Sequence, residues 1–120
     1  MTLKDVRDTL EAEVVVGGES LGIEVKMACG ADLLSDVLAF SKSESLLLTG
    51  LMHPQVIRTA EVAEIKALCF VRGKRPPDET IELAKEKGVP VLCTALPMYE
   101  SCGRLYGRGL AGCSERAEKH

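Results

Sequence analysis

Three uninterrupted apolar runs, repeated at a spacing of about twenty residues, most constrain what this chain can fold into. They are Leu46-Leu47-Leu48, Ala67-Leu68-Cys69-Phe70-Val71 and Val89-Pro90-Val91-Leu92-Cys93. A strand with one wet face alternates apolar and polar residues, whereas a strand covered on both faces, as in a parallel sheet, does not. Each run is followed by a small or polar break: Thr49-Gly50, Arg72-Gly73 and Thr94-Ala95. A proline comes next (Pro54, Pro76-Pro77, Pro97), at or just before an amphipathic helical stretch. Proline suits that position because the hydrogen bond it forgoes would be missing anyway. Asp78 is placed to cap the second helix and Gly88 to end it, and the third carries Met98, Cys102 and Leu105 on one face. This strand-loop-helix quasi-repeat predicts right-handed βαβ crossovers. The expected fold is α/β: one three-layer domain with a mostly parallel sheet flanked by helices.

The first half is patterned differently. Thr2 with Asp5 three residues on resembles a capping box, and Leu3, Val6 and Leu10 repeat at helical spacing, which predicts a helix over about the first ten residues. Glu13 to Val16 reads as a strand stopped by Gly17-Gly18. Ile23 to Ala28 alternates apolar and charged side chains and predicts a strand with one wet face. Asp32 is positioned to cap a helix carrying Leu34, Val37 and Leu38 on one side. Periodicity is lost from Arg108 onward, so the domain is expected over residues 1–110 with 111–120 as a flexible tail. A chain of 120 residues fits one such domain and can build a core without cross-links.

Charge and composition remove several function classes. The formal net charge is -3, and nucleic-acid binding needs clustered cations to neutralise phosphates. With two Tyr, two Phe and no Trp, the chain has little on which single-stranded bases could stack. No apolar run approaches the roughly 20 residues that cross a bilayer, and the N-terminus starts an amphipathic helix and not a signal peptide. A cytoplasmic protein is expected. The five cysteines (Cys29, Cys69, Cys93, Cys102, Cys113) are odd in number and lack CxxC spacing, so neither a metal site nor a disulfide framework is expected. Cys69 and Cys93 lie in apolar runs, where a thiol acts as a small hydrophobe. Cys102 and Cys113 are left open.

In an open parallel sheet, ligands bind at the C-terminal edge of the strands. That edge would gather Thr49, Gly50, His53, Arg72, Gly73, Lys74, Arg75 and Thr94. Glycines let a ligand approach the backbone, helix N-termini attract negative charge, and Arg72-Gly73-Lys74-Arg75 adds three cations. An acidic, phosphorylated or nucleotide-like small molecule would suit it. The opposing reading makes the threonines and Gly73 turn residues and the cations a solvated loop. No P-loop is present, because Gly50 is followed by Leu-Met-His-Pro. His53 reads first as a helix cap or loop residue. A catalytic alternative would pair it with Cys93 or Ser101 as nucleophile, although nothing in the spacing joins them. Asp32 and Asp36, four apart, could hold a metal or be a cap and a solvated face. No catalytic residue, metal ligand or cofactor is assigned.

Several segments also resemble a known family: Asp32 to Phe40, Leu48 to Glu61, Phe70 to Pro77, Gly88 to Thr94, Met98-Tyr99-Glu100 and Cys102 to Tyr106. In order and content they are similar to stand-alone DRTGG-domain proteins over about residues 3 to 110. The resemblance implies a fold like the N-terminal, non-catalytic domain of HPr kinase/phosphorylase, itself similar to the N-terminal domains of Mur ligases. It also implies likeness to accessory domains of phosphotransacetylases and CBS-containing pyrophosphatases, whose roles are regulatory. The motif that names the family is altered. Its Asp-Arg element is replaced by Leu51-Met52 or Met52-His53, and its Thr-Gly-Gly by Val71-Arg72-Gly73 or Arg72-Gly73-Lys74. The resulting expectation is a regulatory module that binds a small anionic or nucleotide-like ligand, a protein partner, or both, as a homodimer. A small enzyme and a ligand-free docking protein are the alternatives.

Overall fold

A computed structural model describes residues 1–113. Six strands form one sheet in the order β1-β5-β4-β3-β2-β6. They are β1 (Glu13–Val16), β2 (Met27–Gly30), β3 (Leu46–Thr49), β4 (Ala67–Phe70), β5 (Val91–Cys93) and β6 (Ala111–Gly112). All neighbouring pairs are parallel except β1 with β5, which is antiparallel and irregular between Val14 and Val16. Every residue of β3 and β4 is buried, which is why these two runs carry no polar alternation.

Helices cover both faces. On one, α2 (Leu34–Phe40), α3 (Gln55–Val62) and α4 (Asp78–Lys87) close a core that includes Leu47, Leu68, Phe70 and Ile57. On the other, α1 (Leu3–Leu10) and α5 (Met98–Gly107) cover Leu46, Leu48, Cys69 and Leu92. Burying each such leucine contributes roughly 1.5–3 kcal/mol relative to exposure. The three-layer α/β architecture expected from the repeat is thus the one observed.

Local signals explain most element ends. Thr2 and Asp5 form the full reciprocal capping box, and α1 buries Leu3, Val6 and Leu10. Pro54, Pro77 and Pro97 each stand immediately before a helix, and Gly88 ends α4 in the left-handed region at φ 69°. Asp78 is the first residue of α4 and makes no capping bond.

Four further expectations are revised. The extended segment after Gly22 enters the sheet only at Met27, four residues later than the alternation suggests. Its first part runs along the N-terminus instead: the Val25 N–H donates to the Met1 carbonyl, and Thr2 bridges to Glu24. Asp32 does not cap α2; Leu33 stands at the cap and makes no side-chain bond. Leu38 faces outward, so α2 buries Val37 and not a broad stripe. Finally, the sheet continues past residue 110, because Ala111 and Gly112 pair with Met27 and Ala28. The rest of the expected tail, 114–120, lies outside the described residues. Among the described residues, no helix is long and apolar enough to cross a membrane.

Candidate functional site

The C-terminal edge of the parallel strands is shaped by backbone bonds before any ligand is considered. Asp32, in the loop after β2, accepts the Gly50 N–H at 2.8 Å and the Thr49 hydroxyl at 3.3 Å. The Thr49 Oγ1 in turn accepts the Leu51 N–H. After β4, the Arg72 and Gly73 N–H groups donate to the Leu96 and Thr94 carbonyls, each at 2.9 Å. Thr94 is buried; its hydroxyl donates to the Leu10 carbonyl at 2.7 Å and accepts the Leu96 N–H. These loop amides therefore have partners within the chain.

Arg72 and Gly73 both take positive φ, 71° and 72°. The left-handed region is routine for glycine but costs an L-residue roughly 1–2 kcal/mol. The conformation folds the Arg72 side chain over Gly50, where an added Cβ would stand 2.5 Å from a guanidinium nitrogen. Gly50 thus leaves room for that cation. Among the described residues, neither Arg72 nor Lys74 makes an ion pair. Arg75 lies 3.8 Å from Glu13.

The expected site residues divide into three groups. Gly50, Thr49 and Arg72 come together, joined by Asp32, a residue whose local spacing suggests a helix cap. Gly73, Lys74, Arg75 and Thr94 line a separate hollow of about 280 Å³ with Glu11, Glu13 and Cys93. His53 stands apart beside Arg58, Glu79 and Glu82, and its Nδ1 accepts the Gln55 N–H at 3.1 Å, capping α3. Neither Cys93 nor Ser101 is hydrogen-bonded to His53. Among the described residues the buried Ser101 hydroxyl of α5 has no hydrogen-bond partner, and burial pushes the Cys93 thiol up to about 11. The nucleophile-base contact required by the enzyme alternative is not formed. Asp32 and Asp36 do not share a helix face, since Asp32 precedes α2. Among the described residues, no group of three His, Cys, Asp or Glu is placed to hold a metal ion.

A larger cavity lies elsewhere. A mostly apolar cleft of about 670 Å³ opens between α5 and the β2-β6 edge, with Tyr99, Gly103 and Tyr106 on its helical side and Ala28, Gly30 and Gly112 on the sheet side. Tyr99 is 88% and Tyr106 74% exposed. Gly30 permits the close approach of α5: a Cβ there would stand 3.0 Å from the Cys102 and Met98 sulfurs. The seven-residue spacing of the chain's two tyrosines was the available signal for this cleft, but its sheet wall depends on β6, which has no pattern to read.

The family model for the DRTGG domain matches residues 5–106. Among solved structures, the chain is similar to the CBS and DRTGG domains of the regulatory region of Clostridium perfringens pyrophosphatase, complexed with the activator diadenosine tetraphosphate. The TM-score is 0.72 at 21% sequence identity, over 87% of this chain and 45% of that one. This chain therefore spans less than half the length of that relative. No curated protein matches the chain.

Proposed function

The chain belongs to the DRTGG-domain family, and from that premise we propose that it is a non-catalytic regulatory module that binds a small anionic or nucleotide-like ligand in the cytoplasm. Its ligand would sit at the C-terminal strand edge, with Arg72 and Lys74 supplying charge and Gly50 and Gly73 the backbone clearance. Thr49 and Thr94 would hold the loops in shape and Arg75 would flank the ligand, while His53, which stands apart at the start of α3, would lie outside the site.

Arg72 carries this reading. It occupies a left-handed conformation, its guanidinium lies against a glycine, and no carboxylate among the described residues neutralises it. Backbone strain of this kind concentrates where a side chain is held for a purpose. A guanidinium also offers a planar fork of donors suited to phosphate or carboxylate. The related pyrophosphatase region is complexed with diadenosine tetraphosphate, which makes dinucleoside polyphosphates a rational first group of probes.

The test is a thermal-shift screen against nucleotides, dinucleoside polyphosphates, phosphorylated metabolites and small organic acids. A ligand at one hundred times its dissociation constant should add about 2.7 kcal/mol. Binding that disappears in the Arg72→Ala/Lys74→Ala double variant supports the proposal; binding unaffected by it places the site elsewhere.

A second reading is favoured by the α5 cleft, where two exposed tyrosines frame an apolar surface. Such surfaces mark association sites. Self-association as a twofold homodimer through α5 would cover them. Sedimentation of wild type and Tyr99→Ala/Tyr106→Ala tests it: a dimer that persists in the variant sinks this reading.

A further inference from the structure

The described part of the chain ends at Cys113, directly beyond β6. The register of β6 on β2 pairs Met27 with Ala111 and Ala28 with Gly112. The Cys113 N–H continues that ladder by donating to the Ala28 carbonyl at 3.2 Å. The next rung therefore sets Cys113 opposite Cys29. Opposed residues on adjacent parallel strands point to the same face, with strands about 4.7–4.9 Å apart. That separation falls within the Cα distance of about 4.4–6.8 Å that a disulfide bridges.

The surroundings single out this pair among the five cysteines. Cys29 packs on the α2–α4 side, while Gly30, the next residue, faces Cys102 on the α5 side. Cys102 thus lies across the sheet from the pair. Cys69 is buried in β4, whereas Cys29 and Cys113 are both half-buried and open to small reagents. The Cys29 thiol is 2.9 Å from the Ser41 hydroxyl. The Cys113 thiol faces Cys29, the Lys42 backbone, the Ser45 hydroxyl and the Lys42 charge. Reactive cysteines are found in partly exposed settings, whereas buried ones are inert.

We propose that Cys29 and Cys113 form a redox-responsive pair that a hydroperoxide converts to an intrachain disulfide, fastening β6 to the edge of the sheet. The Cys113 thiolate attacks the peroxide, the O–O bond breaks, and the leaving oxygen departs with its electron pair and takes up a proton. Cys113 is thereby oxidised to a sulfenic acid. The Cys29 sulfur then attacks the Cys113 sulfur, loses its proton and expels the sulfenic oxygen as water. In total, two thiols and one hydroperoxide give one disulfide, one alcohol (or water, from hydrogen peroxide) and one water. Because β6 lines the α5 cleft, the bond fixes one wall of that cleft and its reduction releases it.

The test uses the full chain, freed of reductant and treated with one equivalent of hydrogen peroxide at neutral pH. Intact mass and peptide mapping without reduction should show the loss of two hydrogens and a Cys29–Cys113 link. Reductant should reverse both. Cys29→Ser should stop at a sulfenic acid on Cys113 that dimedone traps, and Cys102→Ser should leave the link unchanged. A bond from Cys113 to Cys102, a bond between chains, or the absence of any disulfide would overturn the proposal.

Discussion

The Asp32 carboxylate, from the loop after β2, accepts the backbone N–H of Gly50 at the end of β3, a contact spanning eighteen positions. It ties together two loops of the candidate edge and holds Gly50 beneath the Arg72 guanidinium. Asp32→Ala removes the acceptor from both Gly50 and Thr49. Since the bond is solvent-accessible, the expected loss falls below the roughly 1.5–3 kcal/mol of a charged hydrogen bond, at about 1 kcal/mol. Asp32→Asn retains an acceptor and should lose less. Urea denaturation of the two variants checks the order.

Gly50→Ala should separate positioning from folding. Gly50 does not need a positive φ, so alanine suits its backbone, but the new Cβ would collide with the Arg72 side chain. The obstruction is the far end of a flexible side chain, which can swing away. Stability should change by less than about 0.5 kcal/mol, while affinity for any ligand held by Arg72 falls. Calorimetric titration beside a melting curve measures both; affinity equal to wild type would detach Arg72 from the site.

Arg72→Gly should make the opposite exchange. Glycine accepts φ 71° without the side-chain clash, so the variant should be more stable by up to about 1 kcal/mol, offset in part by glycine's greater unfolded-state entropy. Ligand stabilisation should vanish. A lower melting temperature than wild type would mean that the arginine serves the fold.

How much of this was legible beforehand follows from where each signal lies. The apolar runs, the helix-starting prolines and the Thr2/Asp5 box act within a few residues of themselves, so the central strands, α1 and the helix starts could be read. His53 as a cap was legible for the same reason. Asp32 was not, because its partners are seventeen and eighteen positions away and a local cap looked sufficient. The alternation at 23–27 was genuine but was produced by contact with the N-terminus and not by the sheet. β6 is two small residues, Ala111 and Gly112, whose pairing depends on α5 returning the chain to the β2 edge. The Thr94 hydroxyl, read either as part of the ligand edge or as a turn residue, accepts the nearby Leu96 N–H and also reaches Leu10 across 84 positions, a contact no local signal shows.

That last contact yields a stability prediction. Thr94→Val preserves shape but leaves the Leu10 carbonyl and the Leu96 N–H without their buried partner. Leaving such groups unsatisfied costs about 1–3 kcal/mol. The denaturation midpoint should fall with an unchanged slope. A neutral Thr94→Val would mean that water replaces the hydroxyl and that Thr94 is free for another role.

The cysteines predict how stability varies with pH. Cys29 donates to Cys113, and together with the Lys42 backbone, the Ser45 hydroxyl and the Lys42 charge it lowers the Cys113 thiol to about 6 against the pull of burial. The fold thus favours the Cys113 thiolate, and unfolded chains bind more protons at this site between about pH 6 and the ordinary thiol range. Its contribution is present above the unfolded value and is lost as pH falls through about 6. Cys29 is shifted upward, first by its interaction with Cys113 and then by burial, with a smaller through-space contribution from Cys102 across the sheet. Burial raises Cys69 to about 12 and Cys93 to about 11, so these groups oppose folding at strongly alkaline pH. Stability should therefore rise from pH 6 toward pH 8 more steeply in wild type than in Cys113→Ser. Alkylation at pH 7 should label Cys113 well before Cys69, and equal labelling rates would remove the thiolate from the account.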